Sequence, residues 1–519
     1  MKFNLKRILI LFISLFVIGS VAIETSVHTV SGDSLHLKDY TNEIQNLNEP
    51  YKFIKPDYFK PITHLSFTNK PVTRYYQLTL KKVKMSPDGF ERTVWSVNGQ
   101  HPGPLIQANK GDRLVINVTN HFDDPATVHW HGMFQHGTNW YDGVPGQVNS
   151  PLISGLGRYN CTAAPPGSKC KSNQPLAVYN VKKNKKYRFR IINSSADGVF
   201  VFSIDQHKLK VIEADGIYLK PTIIKKLPVA VGQRYSVIVD ANQPVGNYFI
   251  RGTLDKRCTP INNATINFNS AIDWNGLGIL HYEGAINKPN SKEFDDDFTP
   301  CRDLDKKHLN PIKPITKYDG HVTDFVNITI TFGRDKNQRL KALINNSSFV
   351  PQMNDPTVNK ITRDIDAKDL PKEQNSVIFN HNGGIAEIYV KNNNGADHPF
   401  HMHGHVFAIM YVGEKGEVHD KSKYNKRNPV VRDTLTIPGN GFVVIRFITD
   451  NPGVWAFHCH IEWHVELGMV LGIIELQDTL KKETIPEDVV ALCLEHDLQK
   501  RTTRKMLNSI VINEIRSYD

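Results

Sequence analysis

Cys459 stands between two histidines, His458 and His460, in the stretch 451–464, NPGVWAFHCHIEWH. In an extended strand, residues i and i+2 point to one side and i+1 points to the other. His458 and His460 can therefore reach one metal region together, while the Cys459 thiolate reaches another on the opposite face. A few covalent bonds would join the two regions, a short path for electrons. His464 and Met469 follow five and ten residues after Cys459, and with His398 they complete two imidazoles, one thiolate and one thioether. His₂Cys with a weak axial Met is the ligand chemistry of a blue copper site. Met469 alone would read as a core methionine; its place after Cys459 makes it a ligand candidate.

The chain has 22 histidines in 519 residues, which should give roughly one His-x-His by chance. Four occur: His129/His131, His401/His403, His403/His405 and His458/His460. Three of these, 129/131, 401/403 and 458/460, are imidazole-only candidates. Neutral imidazole suits copper that must change oxidation state and bind oxygen. His405 reads as structural, because the pair before it already uses that strand face. His121, His136 and His207 have no ligand-like partner and read as ordinary surface or loop histidines. Zinc would favour closed Cys/His tetrads such as C-x₂-C, and none occurs.

The elements that must position these residues are strands. Leu114, Ile116 and Val118 alternate with polar neighbours, as do Tyr187, Phe189 and Ile191, and Phe200, Phe202 and Ile204. Gly246-Asn247 reads as a turn into the strand that follows. The length suggests roughly three domains. Three strand-rich blocks with little helix predict an all-β chain of three sandwiches or barrels. The boundaries read as 66–150, 151–290 and 306–480, with a charged, Pro-containing linker at 287–305 and a C-terminal helix and tail at 481–519.

Residues 1–22 read as an export signal: Lys2, Lys6 and Arg7 precede a short apolar run, and Ser20 and Ala22 suit cleavage after Ala22. A polar leader follows to 65. No other apolar stretch approaches membrane length, so no stable membrane insertion is expected after cleavage. Sequons at Asn117, Asn160, Asn193, Asn263, Asn327, Asn345 and Asn346 support export as a set. The formal charge is +11; removing a signal with three bases and no acid leaves about +8. A basic surface can attract polyanions, but no clustered basic and aromatic pattern argues for nucleic acid. In an oxidising compartment most of the six cysteines should pair. Cys161 with Cys170, and Cys258 with Cys301, are candidate pairs, Cys459 is a poor one, and Cys493 is left over.

The sequence resembles the multicopper oxidases, and laccases most closely. The resemblance covers nearly the whole chain after the leader. It rests on VNGQHPGPLIQANKGD (97–112) and HWHGMFQHGTNWYDGVPG (129–146) in the first block, and on YRFRIIN (187–193), VIEADG (211–216) and GQRYSVIVDANQ (232–243) in the second. In the third it rests on HPFHMHGHVF (398–407), RDT (432–434) and the stretch around Cys459. It implies three consecutive cupredoxin-like Greek-key β-barrels. It also implies type 1 copper on His398, Cys459 and His464 with Met469 axial, type 2 copper on His129 and His401, and type 3 copper on His131, His403, His458 and His460. Asp142 and Glu462 match acids that deliver protons during oxygen reduction, chemistry a carboxyl can perform; each could equally be a hydrogen-bonding neighbour. An axial Met suggests a modest type 1 potential and easily oxidised donors, phenols and aromatic amines, with O₂ as acceptor.

One departure stands out. Complete members carry a further His-Ser-His string in the first domain, supplying two more type 3 ligands. Here DGVPG (142–146) passes through 147–150 directly into PLISGLGRYNC (151–161), which resembles the lead-in to the second domain. The first barrel is therefore expected to be incomplete, and the type 3 site with it. The family partner of the Cys493 equivalent also falls near this join, where Ser150 stands. The expected function is a secreted laccase-like oxidase, impaired by the incomplete cluster. The alternatives are a ferroxidase-type metal oxidase, or a copper-binding paralogue or incomplete gene product without turnover. Ferroxidases hold Fe²⁺ with carboxylates near the type 1 site; here only Asp397 adjoins His398.

Overall fold

The computed structural model describes residues 71–109, 111–122, 126, 128–133, 150–258, 274–352 and 355–485, together with the backbone of strands at 8–11, 20–26 and 508–512. Strands dominate, as the alternation predicts, and they form three units. The second is a sandwich. Its five-stranded sheet runs Lys226–Val229, Phe200–Ile204, Asn247–Leu254, Asn275–Tyr282, Ala177–Val181. Its six-stranded sheet runs Ile217–Ile224, Leu209–Ala214, Arg234–Asp240, Lys186–Asn193, Ser20–Ser26, Leu152–Ile153. Tyr187, Phe189 and Ile191 alternate into its core as expected. Phe200–Ile204 is buried throughout instead of alternating, because it lies between two neighbours in its sheet and is covered on both faces.

The third unit packs a six-stranded sheet on a five-stranded one. The five-stranded sheet carries the chemistry: Ser376–Phe379, Val470–Glu475, Gly453–Cys459, His398–Met402, Thr434–Ile437 in spatial order. Ile388, Ile445 and Phe447 from the facing sheet meet Phe400, Phe457 and Leu471, and Cys459 and Met469 sit in this same core. Sandwiches of this kind bury alternate side chains between the sheets, which leaves the opposite face of the five-stranded sheet free to meet another unit.

The first unit is smaller. Among the described residues it has one four-stranded sheet, Asn508–Ile512, Arg113–Asn120, Thr73–Met85, Arg92–Val97, and a two-stranded pair of Ile8–Leu11 with Ile106–Asn109. Leu114, Ile116 and Val118 point into a compact core with Tyr76, Leu78 and Trp130. Within the C-terminal stretch expected as helix and tail, 508–512 form a strand antiparallel to Arg113–Asn120, and residues 486–507 and 513–519 lie outside the described residues. Two stretches in or beside residues 1–22 also pair with strand edges: 8–11 with Ile106–Asn109, and 20–26 with Lys186–Asn193. Unpaired edges present rows of N–H and C=O groups that recruit any available strand.

The linker has no strand or α-helix from 287 to 305, yet it is strapped down. Lys226 pairs with Glu293 (2.8 Å) and Asp296 (2.7 Å), and Asp303 accepts from Thr436 Oγ1 (2.6 Å) and Gln233 Nε2 (2.6 Å). The Cys161–Cys170 disulfide is formed, with Cα atoms 5.6 Å apart. Cys258 and Cys301 are brought together beside Asp255 but are not bonded, so the second expected pair is not formed. Cys493 lies outside the described residues.

Candidate copper-binding site

Antiparallel pairing of Gly453–Cys459 with His398–Met402 sets the site. Its register places Phe400 opposite Cys459 and His401 opposite His458. Residues directly opposite share a face, so His401 and His458 face one way while Cys459 faces the other. On the Cys459 side, Sγ lies 3.4 Å from His464 Nδ1 and 3.8 Å from His398 Nδ1, and the two ring nitrogens are 3.1 Å apart. His464 sits on the short helix Glu462–Glu466. The chain then turns back: Met469 N donates to His464 O (2.8 Å) and Cys459 N to Met469 O (3.2 Å). Gly468 makes this turn at φ +101°, with no room for a side chain against Ser348 and Phe349. Met469 is fully buried in the cluster that holds Cys459.

On the other side, six imidazoles meet in three pairs. His129 Nε2 faces His401 Nε2 at 3.3 Å, His403 Nε2 faces His458 Nε2 at 3.1 Å, and His460 Nε2 faces His131 Nδ1 at 3.3 Å. Trp130 is buried in the first unit's core while its neighbours His129 and His131 turn to the pairs. The rings also stack, His129 on His403 (centroids 3.7 Å) and His131 on His401 (3.8 Å). The partners in each pair are never His-x-His neighbours: His458 and His460 share a region but serve different pairs, and each pair joins distant segments.

Burial holds the rings neutral. His131, His398, His401 and His403 are driven well below the ordinary imidazole range, chiefly by desolvation. His458 is lowered to about 3, and His460 and His464 to about 4, for the same reason. The Cys459 thiol is pushed up by burial, so it ionises only when a cation compensates. Neutral nitrogen donors with one soft sulfur are a set that fits copper, and the sulfur triangle is small enough for one ion to touch all three atoms.

Glu462 opens the helix that carries His464, and its backbone N donates to Ala196 O (3.0 Å). Asp142 lies outside the described residues, as does His136. His405 is a structural residue: Nε2 meets the buried Glu475 Oε2 at 2.6 Å. His207 is not a surface or loop histidine. It is buried in the second unit, with Nδ1 at 2.8 Å from Asp205 O and Nε2 at 2.6 Å from Tyr282 Oη. Its neighbours in sequence, a Gln and a Lys, gave no sign of burial.

Several residues carry no ligand pattern and were given no role by sequence, although three of them fall in the strings 232–243 and 432–434. Asp433, Arg234 and Thr434 lie against His131 and His401. The signal that could have found Asp433 is a charged Arg-Asp inside an otherwise apolar strand run, VVRDTLTI. Asp197 is half-buried beside the His464 helix, with Trp463 Nε1 3.4 Å from Oδ2, and burial raises its pKa. Asp397, next to His398, is engaged by Arg302 and by Gly439 N (2.6 Å).

Residues 112–285 and 345–479 each match the multicopper oxidase family. The chain belongs to that family: it is a copper-binding oxidoreductase built from cupredoxin-like domains. Within the family its similarity is to laccases. It is 33% identical to Laccase-4 of Thanatephorus cucumeris, over 77% of this chain and 89% of that protein. It is 31% identical to the laccase of Pycnoporus cinnabarinus, over 85% and 97%. The crystal structure of the laccase from Botrytis aclada superposes with a TM-score of 0.70 at 26% identity, covering 86% of this chain and 96% of that one. The Laccase-4 alignment extends over 505 positions while drawing on 77% of this chain, so a sizeable block of that relative faces no residue here.

Proposed function

We propose that His398, Cys459 and His464, with Met469, hold type 1 copper, that His129 and His401 hold type 2 copper, and that His131 with His460 and His403 with His458 hold the two type 3 ions. Bound copper would supply one-electron oxidation of a donor at the first centre and reduction of O₂ to water at the second. The protein's part is to place, insulate and connect these centres. Cys459 and its flanking histidines form the covalent link between them, and burial excludes water from both. Asp142 and Glu462 are assigned to proton delivery toward the oxygen site. Asp197, a carboxyl made more basic by burial, would accept the proton a phenol or aromatic amine gives up on oxidation near His464.

The observation that carries this reading is the His458-Cys459-His460 tripeptide, which delivers a sulfur to one ligand triangle and one imidazole to each of two ring pairs. Among the described residues, the expected type 3 positions each hold two rings, one fewer than the resemblance implies for complete members, so turnover is expected to be slow. Iron as donor is disfavoured, since Asp397 is engaged by Arg302 and the Gly439 amide. Secretion follows from the N-terminal signal and the sequons, and no helix among the described residues is long and apolar enough to cross a membrane.

The test is spectroscopic and kinetic. Copper-loaded protein should be blue, and Cys459→Ser should abolish the colour. If that variant stays blue, the type 1 assignment is wrong. An oxygen electrode with a phenolic donor separates the remaining readings: no uptake above background leaves a copper-binding protein without turnover.

A further inference from the structure

All ten ligand candidates come from the first and third units, yet the second unit reaches the imidazole pairs through Arg234. This residue opens the strand Arg234–Asp240. Its guanidinium grips Asp433 of the third unit with both arms, Nη1 to Oδ1 at 2.5 Å and Nη2 to Oδ2 at 2.6 Å. Nη1 also donates to Gly232 O at 3.1 Å, and Asp215 Oδ1 accepts from the Arg234 backbone N at 2.9 Å. Asp215 Oδ2 in turn accepts from Arg432 Nε at 2.8 Å, so neighbouring residues 432 and 433 both cross the boundary between the second and third units. The Asp433 side chain is 2% exposed. Paired, bidentate and desolvated, this is a contact whose geometry is stiff.

Asp433 touches two of the three imidazole pairs with two different atoms. Its backbone oxygen lies 2.9 Å from His401 Nδ1. A proton held there leaves His401 Nε2, the atom facing His129, with its lone pair free. Its carboxylate Oδ1 lies 3.3 Å from His131 Nε2, and Thr434 Oγ1 donates to that same oxygen at 2.9 Å. A proton on His131 Nε2 leaves Nδ1, the atom facing His460, free. Arg234 Nη1 is 2.7 Å from His131 Nε2 and favours the opposite tautomer, with the proton on Nδ1 and the pair closed to a metal. The carboxylate opposes this effect by neutralising the guanidinium and holding both of its arms in the fork. The space for the clamp is kept by glycines: a Cβ on Gly132, at φ +79°, would lie 2.5 Å from Arg234 Nη2, and one on Gly232 2.5 Å from the His460 ring.

We propose that Asp433, held by Arg234, is a positioning residue for the copper cluster: the clamp fixes the 433 backbone so that its carbonyl sets the His401 tautomer, its carboxylate neutralises the guanidinium that lies against His131, and Arg234 is the second domain's contribution to a site to which that domain gives no ligand. The inference rests on the ligand assignment above. A metal-ligating histidine generally donates its other ring N–H to such an acceptor, and loss of the acceptor costs about 10- to 100-fold in metal affinity.

The experiment uses the full chain loaded with copper, comparing wild type with Asp433→Asn and Arg234→Lys, and Asp205→Asn as control. Asp205 forms an equally buried bidentate pair with Arg251 (2.8 and 2.9 Å) inside the second unit, away from the imidazoles. Copper per chain, the low-temperature type 2 EPR signal, the blue absorbance and the melting temperature are read together. Asp433→Asn should bind cluster copper about 10- to 100-fold more weakly, with the type 2 signal reduced or altered and the blue absorbance per chain unchanged. Arg234→Lys, which keeps the charge but not the fork, should fall between and decides the matter if Asp433→Asn does not fold. Asp205→Asn should lower the melting temperature without loss of cluster copper. Wild-type copper content and EPR in both cluster variants, or equal copper loss in the control, overturns the proposal. A wild-type chain that binds only the blue copper refutes the cluster assignment itself, seen without any mutation, and the proposal falls with it.

Discussion

At the scale of single residues, the rings and the thiol are set by burial before any metal arrives. An unfolded histidine takes up a proton below about pH 6.5, whereas His460 and His464 resist until about 4 and His458 until about 3. Between those limits the unfolded chain binds more protons, so stability must fall as pH falls. This contribution is complete above about 6.5 and is lost progressively toward about 4, at about 1.4 kcal/mol per pH unit for each proton of difference. Metal-free protein should therefore melt at steadily lower temperature between about pH 7 and about pH 5. A flat melting profile across that window would contradict the neutral, buried state of the rings. Copper uptake should also release the Cys459 proton, since the thiol is held protonated by burial.

At the scale of elements, register does the sorting. The strand Gly453–Cys459 has period two, so a slip of one residue against His398–Met402 would send Cys459 to the imidazole side and His458 to the sulfur side. The same logic of faces sorts the sequons. Asn193 ends the strand Lys186–Asn193 fully buried, and its amide donates to Val229 O (2.8 Å) and Gly198 O (3.1 Å). Asn327 is exposed on Val322–Arg334, and Asn346 is exposed in the turn after Leu340–Ile344. Glycopeptide mapping of protein secreted by a eukaryotic host should find glycans at Asn327 or Asn346 and none at Asn193. A glycan on Asn193 in folded protein would contradict the burial of this strand end.

At the scale of the whole molecule, the site exists only where units meet. His129 and His131 come from the first, the other eight ligand candidates from the third, and Arg234, which is not a ligand, from the second. The first unit is also where the resemblance implies an absent segment: its described residues form one principal sheet, where the described residues of the other two units pack two sheets face to face. Inserting the corresponding laccase segment between Gly146 and Pro151 should supply the missing His-Ser-His string and the strands that carry it. Oxygen uptake with a phenolic donor should then rise at least about tenfold, equivalent to about 1.4 kcal/mol of barrier. Rapid uptake by the chain as it stands would show that two rings per type 3 position suffice.

The ligand chemistry and the local elements were legible along the chain. Strand alternation at 114–118 and 187–191 is a property of neighbours, and so is the separation of Cys459 from His458 and His460 onto opposite faces. The spacing of His464 and Met469 after Cys459 could likewise be read along the chain. The resemblance already put His129 with His401, but only the packed chain settles that 131 faces 460 and 403 faces 458, because each pair joins segments far apart in the chain. Packing also decided the Arg234–Asp433 clamp and the burial of His207, since a charge or a ring shows no partner in a string of residues. Those roles arise from desolvation and close approach between units, and both are set only when the barrels have packed.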